Sequence, residues 1–360
     1  MSSTPTELLV IPQHLDAVDA AEYAEQYGVA FVEPARAERM EVGRMCGRLL
    51  HTRQGLSDTY TRLGVTLSKP AVFYTPDLVL AEPPTPQQIS QINEQETAAV
   101  ARYCVNVQAD LAQVPIAESC EPMVHLPTLF SDVHTPISFS EAPFHTACGD
   151  WAGKDREFWV REGVAYRLLL MADLLLSQNA QLHIEDAFRP VGVQEGLFKR
   201  RVDWTVRDHP EWTDEAIIAE AQSKTAVKPR LASHKGGAAI DARLRDLTTG
   251  ELLDFGHNYP DGGALVFPRT PFITAEQWRN RQLFQVAAGL SDLTLYVGED
   301  WHVSYGDNLA SLSERGFVRP DYVARYGPIK DFDRTTGQIT ATYTEGEMDQ
   351  VFDYDLNRTV

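Results

Sequence analysis

Basic residues are scarce in this sequence relative to acidic ones. Its 360 residues include 32 Lys and Arg against 51 Asp and Glu, which leaves a formal net charge of −19. Proteins that bind nucleic acid or an anionic membrane surface do so through clusters of Lys and Arg, and we find no such cluster in the sequence. We therefore expect no nucleic acid and no membrane as a partner, and we attribute the excess negative charge to solubility.

Cysteine and long apolar runs are also in short supply. The four cysteines are widely spaced and include no Cys-x-x-Cys pair: Cys46, Cys104, Cys120 and Cys148. Such spacing favours free thiols in a reducing compartment over a disulfide framework or a cysteine zinc site. The first residues lack the pattern of a secretion signal, and the longest apolar run, residues 168–176, is too short to cross a bilayer. These absences predict a cytoplasmic protein.

Two common catalytic signatures are missing as well. The sequence has no Gly-x-Ser-x-Gly elbow, which argues against a serine nucleophile, and no glycine-rich loop of the kind that binds phosphate. Hydrophobic residues make up 43% and charged residues 23% of the chain, ordinary values for a globular protein. The length exceeds what one typical core needs, so we expect one large domain with an appendage, or two domains.

We divide the chain into three parts. Residues 1–112 carry apolar residues at helical spacing but no chemical motif, and they are predicted to form a mainly helical N-terminal extension. Its role stays open: it could cap a cleft, form a homo-oligomer or recognise another molecule. Residues 113–330 carry the motifs described below, and residues 331–360 form an acidic tail that includes Asp349, Asp353 and Asp355.

Several segments carry the capping or periodicity patterns that predict helices. Thr85 and Thr274 each precede a capping box, and they predict helices that run to about Ala112 and Leu290. Residues 156–178 form the most apolar helical stretch, typical of a core helix. Two further helices are expected over residues 15–27 and 36–50, with no chemical motif in either.

Strand signals surround the candidate site. Residues 181–188 alternate as a strand that ends at Arg189, and residues 238–245 alternate as a second strand. A Thr-Thr-Gly turn follows, which places Asp241 on a hairpin. A third strand over residues 293–297 leads into the sequence Glu299-Asp300-Trp301-His302.

Two short motifs carry the chemistry. The first is His234-Lys-Gly-Gly-Ala-Ala-Ile-Asp241, in which the glycines can turn the chain so that a strand returns the aspartate to the histidine. With His302, these residues would provide three ligands and an open fourth position, the arrangement of a catalytic zinc site. Glu299 could then act as the general base and Arg189 as the positive group for a developing oxyanion.

Each of these elements is weak when taken alone. A lone histidine is more often structural than a ligand, and a histidine seven positions before an aspartate often arises by chance. The combination is stronger because the predicted strand and hairpin could bring the two motifs together.

The two motifs resemble the His-x-x-Gly-x-Ala-x-Asp and Glu-x-Trp-His motifs of the zinc D-alanyl-D-alanine dipeptidases, which are related to D,D-carboxypeptidases and L-alanyl-D-glutamate peptidases. The resemblance spans about residues 112–310 and includes Arg161-Glu-Gly-Val-Ala, Phe188-Arg-Pro and Asn280-Arg-Gln-Leu. It implies an α+β fold in which helices pack on an antiparallel central sheet that carries a zinc cleft. It also implies the roles of the site residues: one zinc ion per chain held by His234, Asp241 and His302, Glu299 as general base and donor to the leaving amine, and Arg189 against the tetrahedral intermediate.

Departures from the family pattern bear on the substrate. The family usually has Ser two residues before the first zinc histidine, whereas this chain has Ala232 there and Ser233 next to it. Asp300 adds negative charge beside Glu299. The loop after the Asp241 strand offers two acids that could bind a free amine, Asp254 and Asp261, and we also include Ser233 and Trp301 among the candidate substrate contacts.

The favoured hypothesis is a zinc-dependent dipeptidase acting on D-Ala-D-Ala or a related small D-amino-acid dipeptide. One alternative is a peptidase or amidase for another small peptide in biosynthesis or catabolism. The other is a zinc-bearing protein that has lost catalysis and binds a peptide. Replacement of Glu299 or Arg189 would indicate such a loss, and both residues are present.

Overall fold

The computed structural model describes residues 8–67, 69–313 and 316–352. Asp353 and Asp355 of the acidic tail lie outside the described residues. The helices are α1 (Ala17–Tyr27), α2 (Arg36–Arg62), α3 (Pro86–Leu111), α4 (Leu126–Asp132), α5 (Glu162–Leu176), α6 (Val193–Asp208), α7 (Asp214–Lys224), α8 (Ala275–Leu290) and α9 (Glu345–Met348). The strands are β1 (Leu8–Gln13), β2 (Phe31–Val32), β3 (Ala71–Pro76), β4 (Val79–Leu80), β5 (Met123–His125), β6 (Ile137–Phe139), β7 (Trp159–Arg161), β8 (Ala180–Asp186), β9 (Ala239–Asp246), β10 (Thr294–Leu295), β11 (His302–Ser304), β12 (Ile329–Phe332) and β13 (Ile339–Thr342).

The largest sheet has five strands in the order β10-β11-β9-β8-β6. Its neighbours are antiparallel except at one edge, where β6 runs parallel to β8. Four two-stranded sheets lie outside it in the described part of the chain. The fold therefore combines α-helices and β-sheets, as expected. The prediction of an antiparallel central sheet is wrong in one respect, because β6 and β8 are parallel, and four two-stranded sheets accompany the central one.

Helices α5 and α8 supply most of the core that covers this sheet. Leu168 and Leu175 on α5 are fully buried together with Leu182 and Ile184 on β8 and Ile240 on β9. Ten residues of α5 are buried, nine of them apolar, which confirms the predicted core helix. The predicted start at residue 156 is wrong, because residues 159–161 pair as strand β7 and the helix begins at Glu162. The sheet is thereby held rigidly under the residues that follow β8 and begin β11.

The two capping boxes form as predicted. The side chain of Thr85 accepts from the backbone N–H of Gln88 at the start of α3, and that of Thr274 accepts from the N–H of Gln277 at the start of α8. Both helices end within a residue of the predicted position. The α2 helix, in contrast, extends well past the predicted residue 50, to Arg62.

The N-terminal helices share the core of the rest of the chain. Cys46 and Leu49 on α2 are buried in the same cluster as Phe284 and Leu290 on α8. The guanidinium Nε of Arg53 donates to the carbonyl of Leu290 at 3.0 Å. The boundary predicted at residue 112 stays a prediction, but hydrophobic packing crosses it.

The described part of the acidic tail also packs on the main body. Phe332 on β12 contacts Phe188 edge to face with ring centroids 5.2 Å apart, and Arg230 donates to Asp349 at 2.9 Å. The four cysteines are all free thiols. No helix among the described residues is long and apolar enough to cross a membrane.

Candidate metal centre

The three predicted ligands come together through a tight turn and one strand pairing. His234 lies in a short 3₁₀ turn, Ser233–Gly236, which ends at Gly237 with φ of 64°. A side chain at Gly237 would be strained at this φ, which favours glycine at this position. The chain then enters β9, which carries Asp241, and Asp241 pairs in register with His302 on β11.

The ligand atoms form a small triangle. His234 Nε2 lies 3.2 Å from Asp241 Oδ1 and 3.2 Å from His302 Nδ1, and the latter two atoms are 2.9 Å apart. A tetrahedral zinc ion with bonds of about 2.0–2.1 Å separates its ligand atoms by about 3.3 Å. All three side chains are buried. The donor set and its spacing therefore fit a zinc ion.

A backbone carbonyl sets the orientation of one histidine. His234 Nδ1 lies 2.7 Å from the carbonyl oxygen of Ala187. A hydrogen on Nδ1 donated to this carbonyl leaves the Nε2 lone pair free for a cation. Ala187 directly follows β8, so the sheet positions this histidine as well.

The second carboxylate oxygen of Asp241 has partners of its own. Asp241 Oδ2 accepts from Arg189 Nη2 at 3.1 Å and from the Tyr259 hydroxyl at 3.0 Å. Burial alone would raise the pKa of Asp241, but His234 and His302 outweigh it and lower that pKa well below its usual value. Asp241 is therefore an anion whose two oxygens face opposite sides, one toward the histidines and one toward Arg189 and Tyr259.

Arg189 belongs to a larger charged network. Its Nε donates to Asp186 Oδ2 at 3.0 Å and its Nη1 donates to Gln194 at 3.0 Å. Arg156 also pairs with Asp186, at 2.9 Å. Burial opposes the charge of Arg189, but Asp186 and Asp241 raise its pKa above the usual value. The guanidinium is permanently charged and fixed in place.

Glu299 stands at the edge of the triangle. Its Oε2 is 3.8 Å from His302 Nδ1, and its side chain keeps 34% of its surface exposed toward the cleft. Burial, and next the charge of Asp241, raises the pKa of Glu299 to about 7. A carboxylate with a pKa near neutrality is well matched to accepting and returning a proton.

These groups open into a cleft of about 480 Å³. This volume lies within the range of about 300–1,000 Å³ that is usual for small-molecule sites. One wall is formed by Val100, Cys104 and Gln108 of α3, so the N-terminal extension lines the same cleft as His234. Another wall comes from α6 and the loop that contains Tyr259.

The predicted substrate contacts are only partly brought to this cleft. Ser233, Asp261 and Trp301 line it. Asp254 does not; its oxygens accept from Gln277 Nε2 at 2.8 Å and from the backbone N–H of Gly256 at 2.7 Å. Asp254 therefore anchors its loop to the start of α8, and its side chain does not lie beside the other candidate substrate contacts.

The residues that depart from the family pattern have defined surroundings in the structure. Ala232 lines the cleft without a hydroxyl, and Ser233 lines the same cleft beside it. The carboxylate of Asp300 lies 2.8 Å from His257 Nε2 and 3.1 Å from Arg281 Nε. Its negative charge, which still raises the pKa of Glu299, is thus held by two cationic or proton-donating partners.

Sequence reasoning missed three groups at the site. Tyr259, Arg156 and the α3 wall reach the cleft through folds of the chain that no local pattern marks. Pro260, Asp261 and Gly262 do mark a turn after Tyr259. That signal indicates a loop and does not indicate what the tyrosine contacts.

A buried His-Asp-His triangle beside a carboxylate of raised pKa and a fixed arginine, all facing one cleft, is the arrangement of a metal-dependent hydrolase. Residues 153–320 match the family model described as D-ala-D-ala dipeptidase. The matched part of the chain contains all five of these residues, and the match indicates a metallopeptidase. No curated protein gives a significant match.

Proposed function

We propose that the protein is a zinc-dependent dipeptidase that hydrolyses D-Ala-D-Ala or a related small D-amino-acid dipeptide. The observation that carries this proposal is the convergence of His234, Asp241, His302, Glu299 and Arg189 on one cleft. A structural zinc site would be closed by a fourth protein ligand. Here the three candidate ligands and Glu299 all line one open cleft.

One zinc ion per chain would be held by His234 Nε2, His302 Nδ1 and Asp241 Oδ1. Bound there, the ion would supply Lewis-acid chemistry, which lowers the pKa of water and polarises a peptide carbonyl. The carbonyl of Ala187, which accepts from His234, and the donors Arg189 and Tyr259, which bond to Asp241, keep these two ligands oriented.

The side chains of the protein would handle the proton and the charge. Glu299 accepts a proton from the attacking water at its carboxylate and passes it to the amine of the departing amino acid. Its raised pKa makes both transfers accessible near neutral pH. Arg189 contributes a fixed positive charge in a partly desolvated cleft, where negative charge on the former carbonyl oxygen develops.

The free termini of a dipeptide need partners as well. Asp261 is the acidic candidate at the cleft for the substrate amine, since Asp254 is engaged elsewhere. Ala232 offers no hydroxyl to the substrate, in contrast to the serine that is usual in the family. This change favours a related dipeptide over D-Ala-D-Ala itself and keeps another small peptide or amide as the second candidate.

Elemental analysis of the purified protein, combined with amine release from a panel of free dipeptides, tests the proposal. The panel contains L,L-, D,D- and L,D-dipeptides, each measured with and without a chelator. We expect one zinc per chain and chelator-sensitive cleavage of a D,D-dipeptide. Zinc without cleavage of any dipeptide would favour the non-catalytic peptide-binding alternative, and a protein that binds no zinc would refute the site.

A homo-oligomer formed through residues 1–112 is a separate proposal. Leu9, Val10 and Met40 are exposed apolar side chains in this region. Light scattering of the intact protein distinguishes a monomer from a dimer.

A further inference from the structure

Two consecutive arginines on α6 face the cleft. Arg200 and Arg201 both line it, and both are partly buried. Neither residue belongs to the motifs that define the metal centre. Their position in a protein with a net charge of −19 therefore calls for a physical reason.

The other cations of the cleft are already paired. Arg156 is bound to Asp186 at 2.9 Å, Arg189 is bound to Asp241 at 3.1 Å, and Lys224 pairs with Glu220 one helical turn away. Among the described residues, no carboxylate lies within 4.0 Å of the guanidinium of Arg200 or Arg201. Two positive charges in this cleft are thus without an ion-pair partner.

Both guanidiniums make cation–π contacts with one exposed tryptophan. The centre of Arg200 lies 4.6 Å and that of Arg201 lies 5.3 Å from the ring of Trp204, which is 37% exposed. A cation–π contact of this kind does not use up the N–H donors of a guanidinium, which stay available for a ligand. The two side chains are therefore partly ordered before any ligand binds.

The present arrangement is electrostatically unfavourable for the two arginines. Burial lowers the pKa of Arg200, and burial followed by repulsion from Arg200 lowers the pKa of Arg201. Glu299 is close enough to act on the charge of Arg201. An anion bound beside the two arginines would offset the repulsion between their charges while lying in the same cleft as the catalytic groups.

We propose that Arg200 and Arg201 form a subsite for an anionic group of the substrate, a carboxylate or a phosphate, in addition to the terminal carboxylate that every dipeptide carries. Two guanidiniums provide two charges, whereas one terminal carboxylate would neutralise only one of them. The substrate class is then an acidic small peptide, with glutamate or a phosphorylated residue beside the bond that is cleaved. This inference rests on the proposed peptidase function for the identity of the ligand.

Matched pairs of peptides test the subsite. The kcat/KM values of D-Ala-D-Glu and D-Glu-D-Ala are compared with those of D-Ala-D-Gln and D-Gln-D-Ala, which have the same shape without the charge. D-Ala with O-phospho-D-serine, compared with D-Ala-D-Ser, distinguishes phosphate from carboxylate. A charge-assisted hydrogen bond is worth enough to favour at least one acidic peptide by about 10-fold or more.

The double variant Arg200→Gln with Arg201→Gln should remove this preference and leave the uncharged peptides within about two-fold of the wild type, since only the charged partner is lost. Lys199→Gln is the matched control. Lys199 is exposed on the same helix and does not line the cleft. The control variant should keep the full preference for the acidic peptide.

Binding measured by calorimetry separates this proposal from the proposed function. The variant Glu299→Ala with intact arginines is titrated with each acidic peptide and its amide partner, which requires no turnover. Tighter binding of an acidic peptide supports the subsite even if no peptide is ever hydrolysed. Equal binding of both members of every pair overturns it, as does a double variant that loses activity equally toward acidic and uncharged peptides.

Discussion

His302 and Asp241 are register partners on the neighbouring antiparallel strands β11 and β9. Backbone pairing therefore fixes the distance between two of the three candidate ligands, whose facing atoms are 2.9 Å apart. His234 joins them through the turn at Gly237 and its bond to Ala187. A site built on paired strands loses little conformational freedom when a cation binds, which favours tight binding.

Removal of Glu299 should separate catalysis from metal binding. The variant Glu299→Ala lacks the proposed general base, so hydrolysis should fall by about 100-fold or more, while zinc content stays near one per chain. His234→Ala removes a ligand and should lose both zinc and activity. Parallel measurement of zinc by elemental analysis and of amine release checks both variants. Full activity in Glu299→Ala would contradict the mechanism.

Tyr259 should act through Asp241. Tyr259→Phe deletes the hydroxyl that donates to Asp241 Oδ2 and keeps the ring against Trp301. Loss of such an outer partner of a metal ligand usually costs about 10- to 100-fold in metal affinity. Competition with a chelator of known affinity measures the change. Tyr166→Phe, whose hydroxyl contacts Glu162, is the control and should bind zinc like the wild type.

The N-terminal helices should unfold together with the catalytic part. Leu49 on α2 is fully buried in the main core, so Leu49→Ala should lower the free energy of unfolding by about 2–5 kcal/mol. Urea unfolding followed by both tryptophan fluorescence and peptidase activity measures it. Met40→Ala, at an exposed position of the same helix, should have little effect. An unchanged midpoint for loss of activity in Leu49→Ala would show that residues 1–112 fold independently.

His183 should make the protein sensitive to acid. Its Nδ1 lies 2.9 Å from Ser138 Oγ, and burial, followed by the charges of Arg245 and Arg243, lowers the pKa of His183 from 6.5 to about 4. Between these values the unfolded chain binds a proton that the folded protein does not. The free energy of unfolding should therefore fall as the pH drops from 6.5 to 4, by up to about 3 kcal/mol.

The variant His183→Asn tests this dependence. It keeps a polar partner for Ser138 and removes the titration, so stability should decrease less between pH 7 and pH 4.5 than in the wild type. Glu185, whose pKa is raised by burial, contributes in the opposite direction, and its Oε1 lies 3.6 Å from His183 Nε2. The comparison is therefore repeated in a Glu185→Gln background, where the difference isolates His183. Identical pH slopes in urea unfolding would refute the prediction.

Features that depend on neighbouring residues could be predicted from the sequence. The capping boxes at Thr85 and Thr274 need only the next few residues, and the turn that joins His234 to β9 needs only its glycines. The three candidate metal ligands could be predicted from the sequence because one turn and one strand pairing are enough to bring them together. The roles of Glu299 and Arg189 in catalysis stay predictions.

Features that depend on contacts between residues far apart in the sequence could not be predicted. The hydroxyl of Tyr259 reaches Asp241 through a loop, and α3 lines the cleft because it packs against segments far along the chain. Asp254 was predicted to contact substrate from the sequence of its loop alone. Its carboxylate is instead held by Gln277 on α8, a contact that the loop sequence does not reveal. Strand β6 has three residues, too few for a pattern to reveal its parallel direction.

The contact between Arg53 and Leu290 joins residues 237 positions apart. During synthesis at about 5–20 residues per second, α2 leaves the ribosome roughly 10–50 s before its partner helix α8 exists. For that interval the part of α2 that packs on α8 lacks its partner, although α5, which also contacts α2, is synthesised earlier. The cleft, whose lining extends to Leu309, can be completed only after translation has passed that residue.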